Sequence, residues 1–135
     1  MTDNSVFDHE RLAVYRLELQ FIAWVTELIA EVKTKLRSMI REVCDHLDRS
    51  SLSMLFNTAE GNGKRQQKQR ARFFDDARGS ACECAACLDA LVAKGECTRD
   101  RTQEGKQQLA RIVQMLSRLV EKFSGGKMRV GDDTS

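Results

Sequence analysis

The sequence predicts an all-α fold, an up-down-up-down four-helix bundle, and three observations carry that expectation. Its 135 residues contain no proline and only eight glycines, whereas a sandwich or barrel of this length needs many more turn residues. Four stretches show apolar residues recurring at three- and four-residue steps. The breaks between them are short, which forces successive helices antiparallel. The length suits one domain with one core. The bundle is expected over residues 8–123, with a short extension at 1–7 and a disordered tail at 124–135, where periodicity is lost.

The first helix is expected from Asp8 to Lys33. Asp8 is a good N-cap, and Phe7 with Leu12 matches a hydrophobic staple across it. Val14, Leu17, Phe21, Trp24, Val25, Leu28 and Val32 make one broad core face. A second apolar stripe of Leu12, Tyr15, Leu19, Ile22, Ala23, Ile29 and Ala30 takes much of the remaining circumference, at about 100° per residue. A small bundle has no central helix to use both stripes. The second stripe therefore predicts self-association, with Leu12, Tyr15, Leu19 and Ile22 as the contact.

The second helix is expected from Thr34 to Gly61, carrying Leu36, Ile40, Val43, Leu47, Met54, Leu55 and Thr58. Asp48-Arg49-Ser50-Ser51 has weak propensity and predicts a kink. Gly61-Asn62-Gly63 predicts the end, because glycine adopts the left-handed conformation that closes a helix. The third helix, Gln66 to Ala93, places Phe73, Phe74, Ala77, Ala81, Cys84, Leu88 and Leu91 on one face. Its small residues, among them Gly79, Ala81 and Ala85, predict close approach of a neighbour. Gly95 closes it and Thr98 caps the fourth helix, whose stripe is Leu109, Ile112, Val113, Leu116, Leu119, Val120 and Phe123.

A net charge of +2 implies no partner by itself. No stretch approaches the roughly 18 consecutive apolar residues of a membrane span, and the acidic start lacks a signal peptide's basic region. A cytoplasmic protein without a membrane association is expected. Five cysteines, an odd number, argue against a disulfide framework.

Chemistry is hard to place on this chain. His9 and His46 lie beside acids but show no paired spacing on a helix, and read as exposed helical histidines. Cys82, Cys84 and Cys87 fall in a helical pattern. Cys84 and Cys87 have the spacing of a redox or zinc pair, but the remaining ligands are distant, so core packing is the preferred reading. Gly61-Asn62-Gly63-Lys64 lacks the spacing of a phosphate-binding loop. No nucleophile sits with a base. The expectation is a non-enzyme with no metal and no cofactor.

The strongest functional signal is the run from Lys64 to Arg72. It contains Lys64, Arg65, Lys68, Arg70 and Arg72 without an acid, spanning the turn and the start of the third helix. Positive charge at a helix N-terminus opposes the macrodipole. Accepting that cost suggests cations aimed at a phosphate backbone, with the helix's free N–H groups beside them. The competing reading is a solvated face.

Two segments carry a family likeness. Asn57-Thr58-Ala59-Glu60-Gly61-Asn62-Gly63-Lys64 and the segment from Arg72-Phe73 through Ala77-Arg78-Gly79-Ser80 to Glu83 resemble the signatures NIAEGxG(K/R) and RFxxxARGSxxE. These mark the four-helix-bundle proteins encoded in intervening sequences of 23S ribosomal RNA. The opening Phe7-Asp8-His9-Glu10-Arg11-Leu12 also resembles that family's start, so the likeness spans about residues 7–123. It implies a ring-shaped homopentamer. The family is similar to the accessory variability determinant of diversity-generating retroelements, which implies binding of DNA or RNA and a reverse transcriptase as partner. One departure is Leu52-Ser53-Met54-Leu55-Phe56, where relatives carry a proline-containing turn. Among the motif residues, Glu60 is expected near Arg65 and Lys68, and Asn57 near Arg70. With Gly61, Arg78 and Glu83 they read as structural, since buried polar contacts fix register more than they stabilise.

The expected function is a non-catalytic oligomeric scaffold that binds nucleic acid through the basic segment. The alternative is a purely structural protein–protein module.

Overall fold

A computed structural model of the chain describes residues 5–33 and 38–125. A 3₁₀ turn at Asp8–Arg11 precedes four helices, α1 Ala13–Lys33, α2 Ser38–Gly63, α3 Gln67–Ala93 and α4 Arg99–Phe123. There is no strand among the described residues. The expected positions Thr34 and Leu36 and the tail from residue 126 lie outside them.

Cross-helix contacts set the direction of each pair. Between the 3₁₀ turn with α1 and α2, Asp8 accepts from Asn62 at 2.9 Å, the Glu18 carboxyl and Thr58 hydroxyl lie 2.7 Å apart, and Lys33 meets Asp45 at 3.3 Å. One number rises as the other falls, so the pair is antiparallel. His46–Glu83 and Ser53–Ser80, each at 3.0 Å, do the same for α2 and α3. Phe74–Phe123, Arg78–Ser117 and Asp89–Lys106 do it for α3 and α4. Glu31 receives both the Nε and Nη2 hydrogens of Arg101, at 2.9 and 3.0 Å, and closes α1 onto α4. Each helix touches its two neighbours, while α1–α3 and α2–α4 are diagonal and do not meet.

The interior is filled by the predicted stripes. Phe21, Leu28, Leu47, Met54, Phe74, Leu88, Leu91, Leu109, Ile112 and Leu116 are essentially inaccessible to solvent. Each such side chain contributes roughly 1.5–3 kcal/mol by leaving water. The small residues of α3 act through Ala77 and Ala81, both fully buried, whereas Gly79 faces outward with open space where a side chain would be.

Several local expectations are corrected. The first helix does not start at Asp8, because Leu12 is extended (ψ 127°) and separates the 3₁₀ turn from α1. Glu10 supplies the cap instead, accepting from the backbone N–H groups of Val6 (2.7 Å) and Phe7 (3.3 Å). Phe7 is 62% exposed and stacks on His9, so no staple to Leu12 forms. Ile29 is buried in the core, not on the second stripe. The expected kink in α2 is absent, since Ser50 and Ser51 are buried in continuous helix and Ser51 Oγ donates to the Asp48 carbonyl at 2.7 Å. The helix also runs unbroken through Leu52–Phe56.

Gly61 does not end α2. It is a buried helical residue, and a Cβ there would come within 3.1 Å of Phe73 Cβ and 3.2 Å of the Phe74 ring. Close approach of α3, not a left-handed turn, is what favours glycine there. Positive φ is found instead at Gly95 (φ 76°), in the α3–α4 connection, and at Gly125 (φ 94°), just after α4. Thr98 caps α4 as its position suggests, accepting from the Arg101 N–H at 3.1 Å.

Candidate nucleic-acid interface

The basic run lies where α2 ends and α3 begins, and its five cations have three different fates. Arg70 turns inward. Its Nη2 donates to Asn62 Oδ1 at 3.3 Å, its guanidinium lies 4.6 Å from the Phe123 ring centre, and its Nε is buried without a hydrogen-bond partner among the described residues. Arg70 therefore ties the ends of α2, α3 and α4 together and is a poor phosphate ligand. This corrects its inclusion with the others.

Lys64 is partly engaged. Its Nζ sits 3.4 Å from Glu60, one helical turn earlier, and 5.1 Å from the Phe73 ring centre. Arg65, Lys68 and Arg72 are exposed, and no acid pairs with them among the described residues. Lys68 and Arg72 are one turn apart on α3, so they project from the same side. The first turn of α3 holds no acid and Gln66 gives it no side-chain cap, leaving its N–H groups open toward this end of the bundle.

Of the motif residues, Gly61, Arg78 and Glu83 meet a neighbouring helix, whereas Asn57 and Glu60 bond locally. Asn57 does not reach Arg70, because its amide donates to the Ser53 carbonyl at 2.9 Å and to Ser53 Oγ at 3.2 Å within α2. The partner of Arg70 is Asn62. Glu60 meets Lys64, not Arg65 or Lys68. Arg78 bridges Asp75 (2.7 Å) on its own helix and Ser117 (3.2 Å) on α4. Glu83 joins His46 across α2 and α3.

The predicted contact set on α1 is split by the fold. Leu19 is 45% exposed, whereas Leu12, Tyr15 and Ile22 are half-buried. Leu12 lines a hollow between α1 and α4 with Val14, Met115 and Leu119.

The cysteines divide by burial, with Cys82 exposed and Cys97 partly so. Cys44, Cys84 and Cys87 are buried, and burial pushes the Cys84 thiol up to about 12 and raises Cys44 and Cys87. Thiols held in the protonated form are poor nucleophiles and poor metal ligands. Among the described residues, no three of His, Cys, Asp and Glu converge as a metal donor set. No helix among them is long and apolar enough to cross a membrane.

Two features escaped the sequence reading. Glu18 is fully buried although ionisable, and its only signal was its place in the core stripe between Leu17 and Phe21. Gly105 lies directly against the Trp24 ring, where a side chain would overlap the indole. Nothing in the sequence near Gly105 announces that contact.

No curated protein matches the chain in sequence. The family model described as 23S rRNA-intervening sequence protein matches residues 10–118, which includes every residue of the two motifs and most of the bundle. The chain belongs to the 23S rRNA-intervening sequence protein family.

Proposed function

We propose that the protein is a non-catalytic homo-oligomer that binds nucleic acid through the α2–α3 end of the bundle. The observation that supports this reading is the group Arg65, Lys68 and Arg72, exposed and unpaired with acids among the described residues, with Lys64 beside them. Cations left unneutralised on a surface attract a polyanion and release its counterions on contact. Phe74 is buried and the half-buried Phe73 ring is occupied by Lys64, so no row of free aromatic faces accompanies the patch, and binding shows little base preference.

The ring of five subunits comes from the family resemblance, and the role of accessory protein to a reverse transcriptase comes from that family's similarity to the retroelement accessory determinant. A ring repeats the patch around its axis, and several weak contacts then add through avidity.

Replacing Arg65, Lys68 and Arg72 together by Gln tests the reading. Affinity for duplex DNA or RNA should fall, and the salt dependence should flatten by about 0.9 per lost phosphate contact on DNA. Helicity and oligomer mass should not change. If the native protein binds neither DNA nor RNA at low salt, a protein-only scaffold is the correct description.

A further inference from the structure

The outward face of α2 carries Asp48, Leu52, Phe56 and Glu60 at four-residue steps. They form one ridge that advances about 18 Å along the helix and winds about 120° around it, at about 1.5 Å and 100° per residue. All four are exposed, Phe56 by 60% and Leu52 by 38%. The row reads acid, apolar, apolar, acid.

Diagonally across the bundle, α4 carries Arg111, Met115, Leu119 and Lys122 along a row of about 17 Å. Met115 and Leu119 form the α4 wall of the hollow shared with Leu12 and Val14, an open depression of about 270 Å³ with Arg118 and Lys122 on its rim. This row reads base, apolar, apolar, base.

We propose that the α2 ridge of one copy seats in the α1–α4 hollow of the next, with Leu52 and Phe56 on Met115 and Leu119. Asp48 and Glu60 then face Arg111 and Lys122. This names the contact behind the oligomer, and it rests on the oligomeric part of the function proposed above. A second copy is the occupant because the charges are opposite at both ends and the rows agree in length. Since α2 and α4 do not touch within the bundle, a copy cannot cover its own ridge. Glu60 meets Lys64 within its own chain, but its side chain stays 56% exposed and keeps acceptor capacity for a second cation. Ridge and hollow are different surfaces on opposite sides, so the contact is head-to-tail. Such a contact builds a ring when its rotation closes.

Light scattering on the full chain tests this. The ridge variant Asp48→Lys/Glu60→Lys and the hollow variant Arg111→Glu/Lys122→Glu should each drop from the native multiple to the 15.3 kDa monomer. Mixed in equal amounts, they should assemble beyond the monomer again, because the native ridge of one meets the native hollow of the other and the reversed ridge meets the reversed hollow. A chain carrying all four reversals restores opposite charges and should reassemble, which also shows that the reversed chains fold. Variants that keep the native mass, or a mixture that stays monomeric, overturn the ridge-and-hollow contact while the oligomer stands. Loss of assembly in Leu19→Glu alone would move the contact to α1. A native chain that is monomeric at micromolar concentration removes the oligomer itself, and this contact with it.

Discussion

Thr58 on α2 and Glu18 on α1 meet at 2.7 Å in the interior, both inaccessible to solvent. The same Thr58 hydroxyl lies 3.0 Å from the Met54 carbonyl, and it has one proton to give. A protonated Glu18 resolves the arrangement by donating to Thr58, which then donates to Met54. Burial raises the Glu18 carboxyl to about 8, only partly offset by the Thr58 hydrogen bond.

That relationship predicts an unusual pH dependence. Between the ordinary 4.5 and about 8, the folded protein holds a proton on Glu18 that the unfolded chain has released. Stability contributed by this group is then fully present below the unfolded value and is lost as pH rises toward the folded one. Each unit of displacement corresponds to about 1.4 kcal/mol. Glu18→Gln keeps the hydrogen bonds without the charge, so it should flatten the profile and raise the melting temperature at alkaline pH. Thermal unfolding across this range measures it, and identical slopes for the two proteins would disprove the assignment.

Arg70 and its exposed neighbours should separate stability from binding. Arg70→Ala loses the ring contact with Phe123, worth about 0.5–1 kcal/mol, and the Asn62 hydrogen bond, worth about 1 kcal/mol. Lys68→Ala and Arg72→Ala should stay within about 0.5 kcal/mol of the native chain, as exposed positions do. Chemical denaturation of the three variants compares them directly.

Gly105→Ala should destabilise, although alanine is the better helix former by about 1 kcal/mol. The added methyl would overlap the Trp24 indole, which is 9% exposed and hemmed in by Arg101 above its ring at 5.4 Å. Overpacking of this kind costs about 1–3 kcal/mol. A lowered melting temperature with altered tryptophan fluorescence is expected, Trp24 being the chain's one tryptophan.

Gly79→Ala should do the reverse. Gly79 is helical and exposed, and a Cβ there meets nothing within 4 Å. The backbone term then acts alone and should stabilise by about 0.5–1 kcal/mol. A destabilised variant would mean that this face is covered in the assembled protein.

The amino-acid sequence by itself determined the helices, their order and most of the core. Phe21, Phe74, Leu88 and Leu109 sit where the 3.6-residue period puts them, and Thr98 caps α4 because a cap depends on residues three apart. Only the tertiary structure decided what residues distant in the chain do to one another. Gly61 carries the same local signal whether it ends a helix or admits Phe74, and Gly105 matters only because Trp24 lies across from it. Arg70 looked like one cation among five until Phe123, folded back from the far end of α4, turned it inward. Local propensity is written along the chain, whereas burial and partnership depend on which helices pack side by side, and a single helix does not contain that information.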